Sequence, residues 1–147
     1  MAKVRCGLGD IMSSKEDEKK GSKMYGNLAY NTYASNNATI ESPTKLVEMM
    51  YEGVLRFNAQ AKKAMLEKNN EKKVYWINRS IAIISELIGT LNFDGGRIAH
   101  YLHGLYNYEL QLLNKACHTN DEASLNEVNN VFRELLEAWR DSINVDR

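Results

Sequence analysis

Proline, cysteine and net charge are what this chain has least of: one proline, two cysteines and a formal charge of zero over 147 residues. A single proline leaves long stretches free to run as unbroken helix. Cys6 and Cys117 lie far apart, with no CxxC and no paired framework. That fits a reducing compartment, and neither cysteine suggests a structural metal site. Neutral charge argues against a nucleic-acid binder held by phosphate contacts. No apolar run approaches the roughly 18–20 residues that span a bilayer, and the start has no apolar signal segment. The expectation is a cytoplasmic protein without membrane insertion.

What is present suits a globular domain: 44% hydrophobic residues in a length that normally forms one core. Residues 1–23 stand apart. Their "SSKEDEKKGSK" is almost wholly charged or small, which reads as a disordered leader or an extension ahead of a start at Met24. Residues 24–147 read as the single domain. Its first part, 24–41, is polar and turn-rich but carries Tyr25, Leu28, Tyr30, Tyr33 and Ile40.

Ser42-Pro43 is a helix start, an N-cap followed by proline at the first helical position. The first helix is expected over about 43–67, ending in "EKNN", and the second over about 71–91. Val74, Ile77, Ile81, Ile84, Ile88 and Leu91 keep 3-4 spacing along the second, the pattern of knobs-into-holes packing. "NFDGG" breaks the chain. A third helix is expected over about 97–118, and a fourth from about Asp121, with Leu125, Val128, Phe132, Leu135 and Trp139 as its seam. Four periodic segments with short connections and no strand-like alternation predict an all-α protein. The architecture expected is an antiparallel up-down four-helix bundle with a short N-terminal helical or extended cap.

Catalytic chemistry finds little support. His100 and His103 lie three apart on the polar side of the third helix, without the inward carboxylates of a di-metal bundle. Cys117 reads as a small interior filler, not an activated nucleophile. Asn37-Ala38-Thr39 and Asn78-Arg79-Ser80 match a glycosylation acceptor by chance if no secretory route exists. No phosphate-binding loop, GxSxG or paired-carboxylate constellation appears, so no enzyme, metal or cofactor is expected. Glu109 falls inside an apolar arc. It is either an edge carboxylate paired with an Arg, a Lys or a Tyr hydroxyl, or a polar anchor within a binding groove.

Two helices are wider than a bundle core requires. In "LVEMMYEGVLRF" apolar residues spread over about 240° of the helical wheel, where a stripe of little more than ~100° suffices. The third helix spreads its apolar residues over about 200°. Either the segment before Ser42 folds back to cover the excess, or the excess is a groove for an amphipathic or extended chain, with Met49 and Met50 making it adaptable. Both hold together if a tyrosine cap is displaced by a partner.

Tyr30 to Tyr33 ("YNTY"), followed after a polar spacer by "SPTKLVEMMYEGVLRF", resembles the FliS family of flagellar export chaperones. That family's usual form is a tyrosine pair, then a Ser/Thr-Pro-x-x-Leu-[VI]-x-[ML]-[ML]-Tyr-[ED]-Gly helix start. "YWINRSIAIISEL", "YLHGLYNYE" and "LLEAWR" are similar to it as well, so the resemblance covers about residues 24–141 and leaves out the leader. It implies a non-enzymatic cytosolic chaperone that binds the disordered C-terminal segment of flagellin. Such a chaperone prevents premature polymerisation and aids delivery to the flagellar type III export apparatus.

Combined with the surplus apolar surface, the resemblance makes Val47, Met50, Tyr51, Val54 and Leu55 on the first helix expected client-binding residues. Tyr101, Leu102, Leu105 and Tyr106 join them from the third, with Tyr30 and Tyr33 as the cap or part of the site. Some must be core, because periodicity does not say which sector faces inward. A co-chaperone and a homodimer stay open as further partners. The alternative class is a structural or oligomeric bundle whose wide helices pair with a second copy, and a di-metal enzyme is more remote.

Overall fold

The computed structural model describes residues 42–145. Four helices follow in order: α1 (Pro43–Leu66), α2 (Asn70–Gly89), α3 (Arg97–Thr119) and α4 (Glu122–Val145), with a 3₁₀ turn at Phe93–Gly95. The expected Tyr30 and Tyr33 cap lies outside the described residues. No helix among the described residues is long and apolar enough to cross a membrane.

Each boundary has a local cause. Ser42 is extended and its Oγ accepts from the Lys45 amide at 3.3 Å, with Pro43 just inside α1. Lys68 takes a left-handed turn (φ 57°), and Asn69 then caps α2 by accepting from the Lys72 amide at 3.1 Å. α2 stops at Gly89, two residues before the expected Leu91, because the Thr90 hydroxyl donates to the Leu87 carbonyl at 2.7 Å. Gly96 enters α3 at φ 103°, a conformation that needs glycine. Asn120, left-handed at φ 54°, and Asp121 form the whole α3–α4 connection. Asp121 caps α4 through the Ala123 amide (3.1 Å) and the Ser124 hydroxyl (2.7 Å).

α1 packs on α2 and α4, and α3 packs on the same two, closing the helices into a ring. Val54, Ile77, Ile84, Leu113, Leu125, Val128 and Phe132 have no exposed surface. Ala61 and Ala116, equally buried, let neighbouring helices approach. The α2 seam extends beyond the single 3-4 row, since Ile83 and Leu87 are also interior, while Ile88 and Leu91 are only half-buried. Cys117 is interior, as a small filler would be, and is disulfide-bonded.

Buried polar side chains pair across the ring. The Ser80 hydroxyl donates to Asn58 Oδ1 at 2.6 Å between α2 and α1. Lys73, nearly buried at the start of α2, donates through Nζ to Asn120 Oδ1 at 2.8 Å. Burial lowers the pKa of that ammonium. Near the far end, Trp139 Nε1 donates to the Thr44 carbonyl at 3.0 Å. Arg140 reaches back to Glu48 (2.9 Å) and Glu52 on α1.

Candidate functional site

Much of the excess on α1 is absorbed by its having two neighbours. Toward α2, Phe57 stacks on Trp76 with centroids 5.6 Å apart, and the Arg79 guanidinium lies 4.9 Å above the Phe57 ring. Toward α4, Tyr51 meets Phe132 and Trp139 edge-on at 5.8 and 6.3 Å. Its hydroxyl lies 2.7 Å from that of Tyr106. Burial raises the pKa of both phenols, so both stay neutral. Met50, Tyr51, Val54 and Tyr106, expected at the client surface, are thus core side chains that support a surface without presenting it.

α3 uses its width differently. Ile98, Tyr101, Leu105, Tyr108 and Leu112 follow one another at 3-4-3-4 spacing, a second seam beside the one that faces the core. Leu112 is buried and Leu105 half-buried, but Ile98, Tyr101 and Tyr108 are 62%, 65% and 47% exposed. The seam lies on the flank toward α4, because the Tyr108 hydroxyl donates to Glu127 Oε1 at 3.3 Å. With the two helices antiparallel, that contact sets Val131 about level with Leu105, and Leu135 about level with Tyr101. Both α4 residues are half-buried. Exposed apolar side chains scattered singly are ordinary; a ridge of them on one helix, bordered by apolar residues of the next, is a candidate interaction surface.

The remaining expected residues divide between two helices. Leu102, next to the stripe, is partly buried against the core, as are Val47 and Leu55 on α1. Leu55 shares the edge of α1 that carries Glu48 and Glu52, the partners of Arg140, so α4 stands between it and the α3 stripe. The structure therefore brings Tyr101, Leu102 and Leu105 together and sets Val47 and Leu55 apart from them. Elsewhere, His100 and His103 are exposed and flank Phe93 with centroids 5.0 and 5.4 Å away. Among the described residues no group of three His, Cys, Asp or Glu side chains is placed to hold a metal ion.

Beneath the stripe, Glu109 is fully buried, and neither of its carboxylate oxygens has a hydrogen-bond partner. The expected Arg, Lys or Tyr partner is not what accommodates it. Burial, helped by the charge of Glu127, pushes the Glu109 carboxyl from 4.5 up to about 7. Protonation lessens the cost of burying it without a partner.

The family model described as "Flagellar protein FliS" matches residues 25–146. The chain is 55% identical over 119 residues to the flagellar secretion chaperone FliS of Campylobacter jejuni, covering 80% of this chain and 93% of that one. The chain belongs to the FliS family. More distant FliS relatives include the flagellar secretion chaperone of Vibrio cholerae, 34% identical over 99 residues (67% of this chain, 73% of that one). That of Bacillus subtilis is 29% identical over 118 residues, covering 80% and 88%. FliS membership makes the protein a flagellar secretion chaperone, a kind that is not enzymatic.

Ile98 and Tyr108 belong to the exposed stripe but are missing from the residues expected on sequence grounds. Their signal was present, as one helix carrying two parallel 3-4 rows where a core needs one.

Proposed function

We propose that this FliS chain acts in the cytoplasm as an export chaperone for flagellin. It binds the disordered C-terminal segment of flagellin, keeps it from polymerising early and hands it to the flagellar type III export apparatus. The observation that supports this most is the outward 3-4 seam of α3, with Ile98 and Tyr101 more than half exposed. A seam of that spacing accepts the apolar face of an amphipathic helix. Flagellin's terminal segments form helices in the filament, so their bare apolar faces would self-associate. Covering one such face on α3 prevents that.

The client's ordering entropy must be offset by large apolar burial. One helix laid on α3 supplies part of it. An extended continuation passing round α4 would reach Leu55 and Val47, which explains how residues on two separate flanks serve one client. Tyr30 and Tyr33 complete the proposal as the cap that the client displaces, or as part of its site. Release needs no nucleotide if the export machinery draws the client away.

A peptide of the flagellin C-terminal segment, titrated into the protein while Trp76 and Trp139 fluorescence is followed, tests this. Tyr101→Asp and Leu105→Asp should weaken binding at least tenfold, by placing a charge in an apolar contact. Leu66→Asp, at an exposed position on a different helix, should leave binding unchanged. Unchanged binding in folded Tyr101→Asp and Leu105→Asp proteins would overturn the assignment to α3. The same seam suits a second copy of the chain, so sedimentation showing a tight dimer without flagellin affinity would favour the oligomeric alternative.

A further inference from the structure

Glu109 is a carboxylate that the described residues leave unserved. It has no exposed surface, and both oxygens lack hydrogen-bond partners. An apolar side chain of similar volume would remove the cost of burying it. The free protein's stability therefore gives no reason for an acid here, which directs attention to a partner from outside.

The surroundings specify that partner's chemistry. The influences on Glu109 are burial and the Glu127 carboxylate arriving from α4, and no lysine or arginine among the described residues offsets them. Tyr108, its neighbour on α3, spends its hydroxyl on Glu127 at 3.3 Å. Lys115, whose charge reaches Tyr108, is paired with Asp121 at 3.4 Å. Burial and the Glu127 charge both favour the protonated form of Glu109, and a cation reaching the site would reverse that preference.

Position on the helix connects this acid pair to the exposed stripe. Leu105 lies four residues before Glu109 and Leu112 three residues after it, so stripe members flank it on the same edge of α3. Reaching the stripe requires a change of the Glu109 rotamer, since its Cα already lies on that edge.

We propose, on the basis of the client-binding function above, that Glu109 and Glu127 together accept one lysine or arginine side chain of a helical client lying along Ile98, Tyr101, Leu105 and Tyr108. The Tyr108 hydroxyl releases Glu127 as the cation enters, and Glu109 gives up its proton to pair with it. An apolar stripe alone accepts many amphipathic helices. The acid pair adds selection, because a client with an apolar or acidic residue at that register leaves both carboxyls unserved.

Calorimetric titration of the full-length protein with the flagellin C-terminal peptide, at pH 6.5 in buffers of different ionisation enthalpy, tests the proposal. Wild type should release about three-quarters of a proton per peptide bound, the protonated fraction at that pH of a group titrating near 7. Glu109→Gln, close in shape to the protonated acid, should abolish the release and weaken binding about tenfold. Glu127→Gln, at an exposed position, should also weaken binding without affecting folding. Replacing the peptide's basic residues one at a time by alanine should find one whose loss costs wild type about tenfold and Glu109→Gln nothing. Equal proton release in wild type and Glu109→Gln, or no basic residue coupled to Glu109, would overturn the acid pair while leaving the chaperone function intact. Failure of wild type to bind the peptide at all would overturn both.

Discussion

Tyr51 and Tyr106 share one hydrogen bond, oxygen to oxygen at 2.7 Å, joining α1 to α3 across the interior of the ring. These helices are not ring neighbours, so the bond is a polar tie across the diagonal. Phe132 flanks both rings, at 5.8 Å from Tyr51 and 6.3 Å from Tyr106. Removing one hydroxyl strands the other in a dry site. Tyr106→Phe should cost about 1–3 kcal/mol, whereas the double change to Phe at both positions should recover most of that loss. Urea unfolding of the two single variants and the double variant measures the coupling directly.

Glu109 gives the fold an inverted acid response. Its folded carboxyl titrates near 7 against 4.5 when free, so the native state holds the proton more tightly. Its contribution to stability is fully present below about pH 4.5 and is lost as pH rises through about 7. The span corresponds to roughly 3 kcal/mol. Glu109→Leu should therefore flatten the stability profile between pH 5 and 8, and at pH 8 it should unfold at higher urea than wild type.

Two left-handed residues should respond oppositely to glycine. Lys68, at φ 57°, is exposed and has a Cβ in a disfavoured conformation, so Lys68→Gly should stabilise by up to about 1 kcal/mol. Asn120, at φ 54°, tolerates that conformation and supplies the acceptor for nearly buried Lys73. Asn120→Gly should therefore destabilise. Thermal melts of the pair check both signs.

Arg140 bridges α4 to Glu48 and Glu52 from an exposed position, and the arginine is the main cause of the lowered Glu48 pKa. Exposed pairs of this kind contribute little. Arg140→Ala should cost under about 1 kcal/mol, and the difference from wild type should vanish in 1 M salt, where screening acts within about 3 Å. The lowered Glu48 pKa makes its share of stability present above pH 4.5 and lost as acid protonates it.

Helix limits were legible because their causes are local: Ser42, Asn69 and Asp121 each accept from an amide within a turn of themselves, and Gly96 takes the backbone conformation that enters α3. The inward edge of each helix was not, because a wheel averages over side chains and leaves their neighbours unnamed. Tyr51 and Leu55 sit on the same wide arc. Only the arrival of Tyr106 and Phe132 makes Tyr51 interior, while Leu55 keeps part of its surface exposed. Glu109 was legible as an anomaly. Its accommodation by a proton, with no ionic or hydrogen-bonded partner, depends on desolvation that sequence does not record. The stripe on α3 was half legible: Tyr101 and Leu105 were expected, and Ile98 and Tyr108 were not.

The two-residue connection between α3 and α4 makes Asn120–Asp121 a pivot. The helices cannot part there, so any change in the angle between them is a scissor motion about that end. At about 1.5 Å per residue, Tyr108 lies roughly 18 Å from the pivot and Ile98 roughly 33 Å. A given tilt therefore shifts Ile98 nearly twice as far as Tyr108. The Ile98 end of the stripe is therefore where the spacing between α3 and α4 is free to vary most.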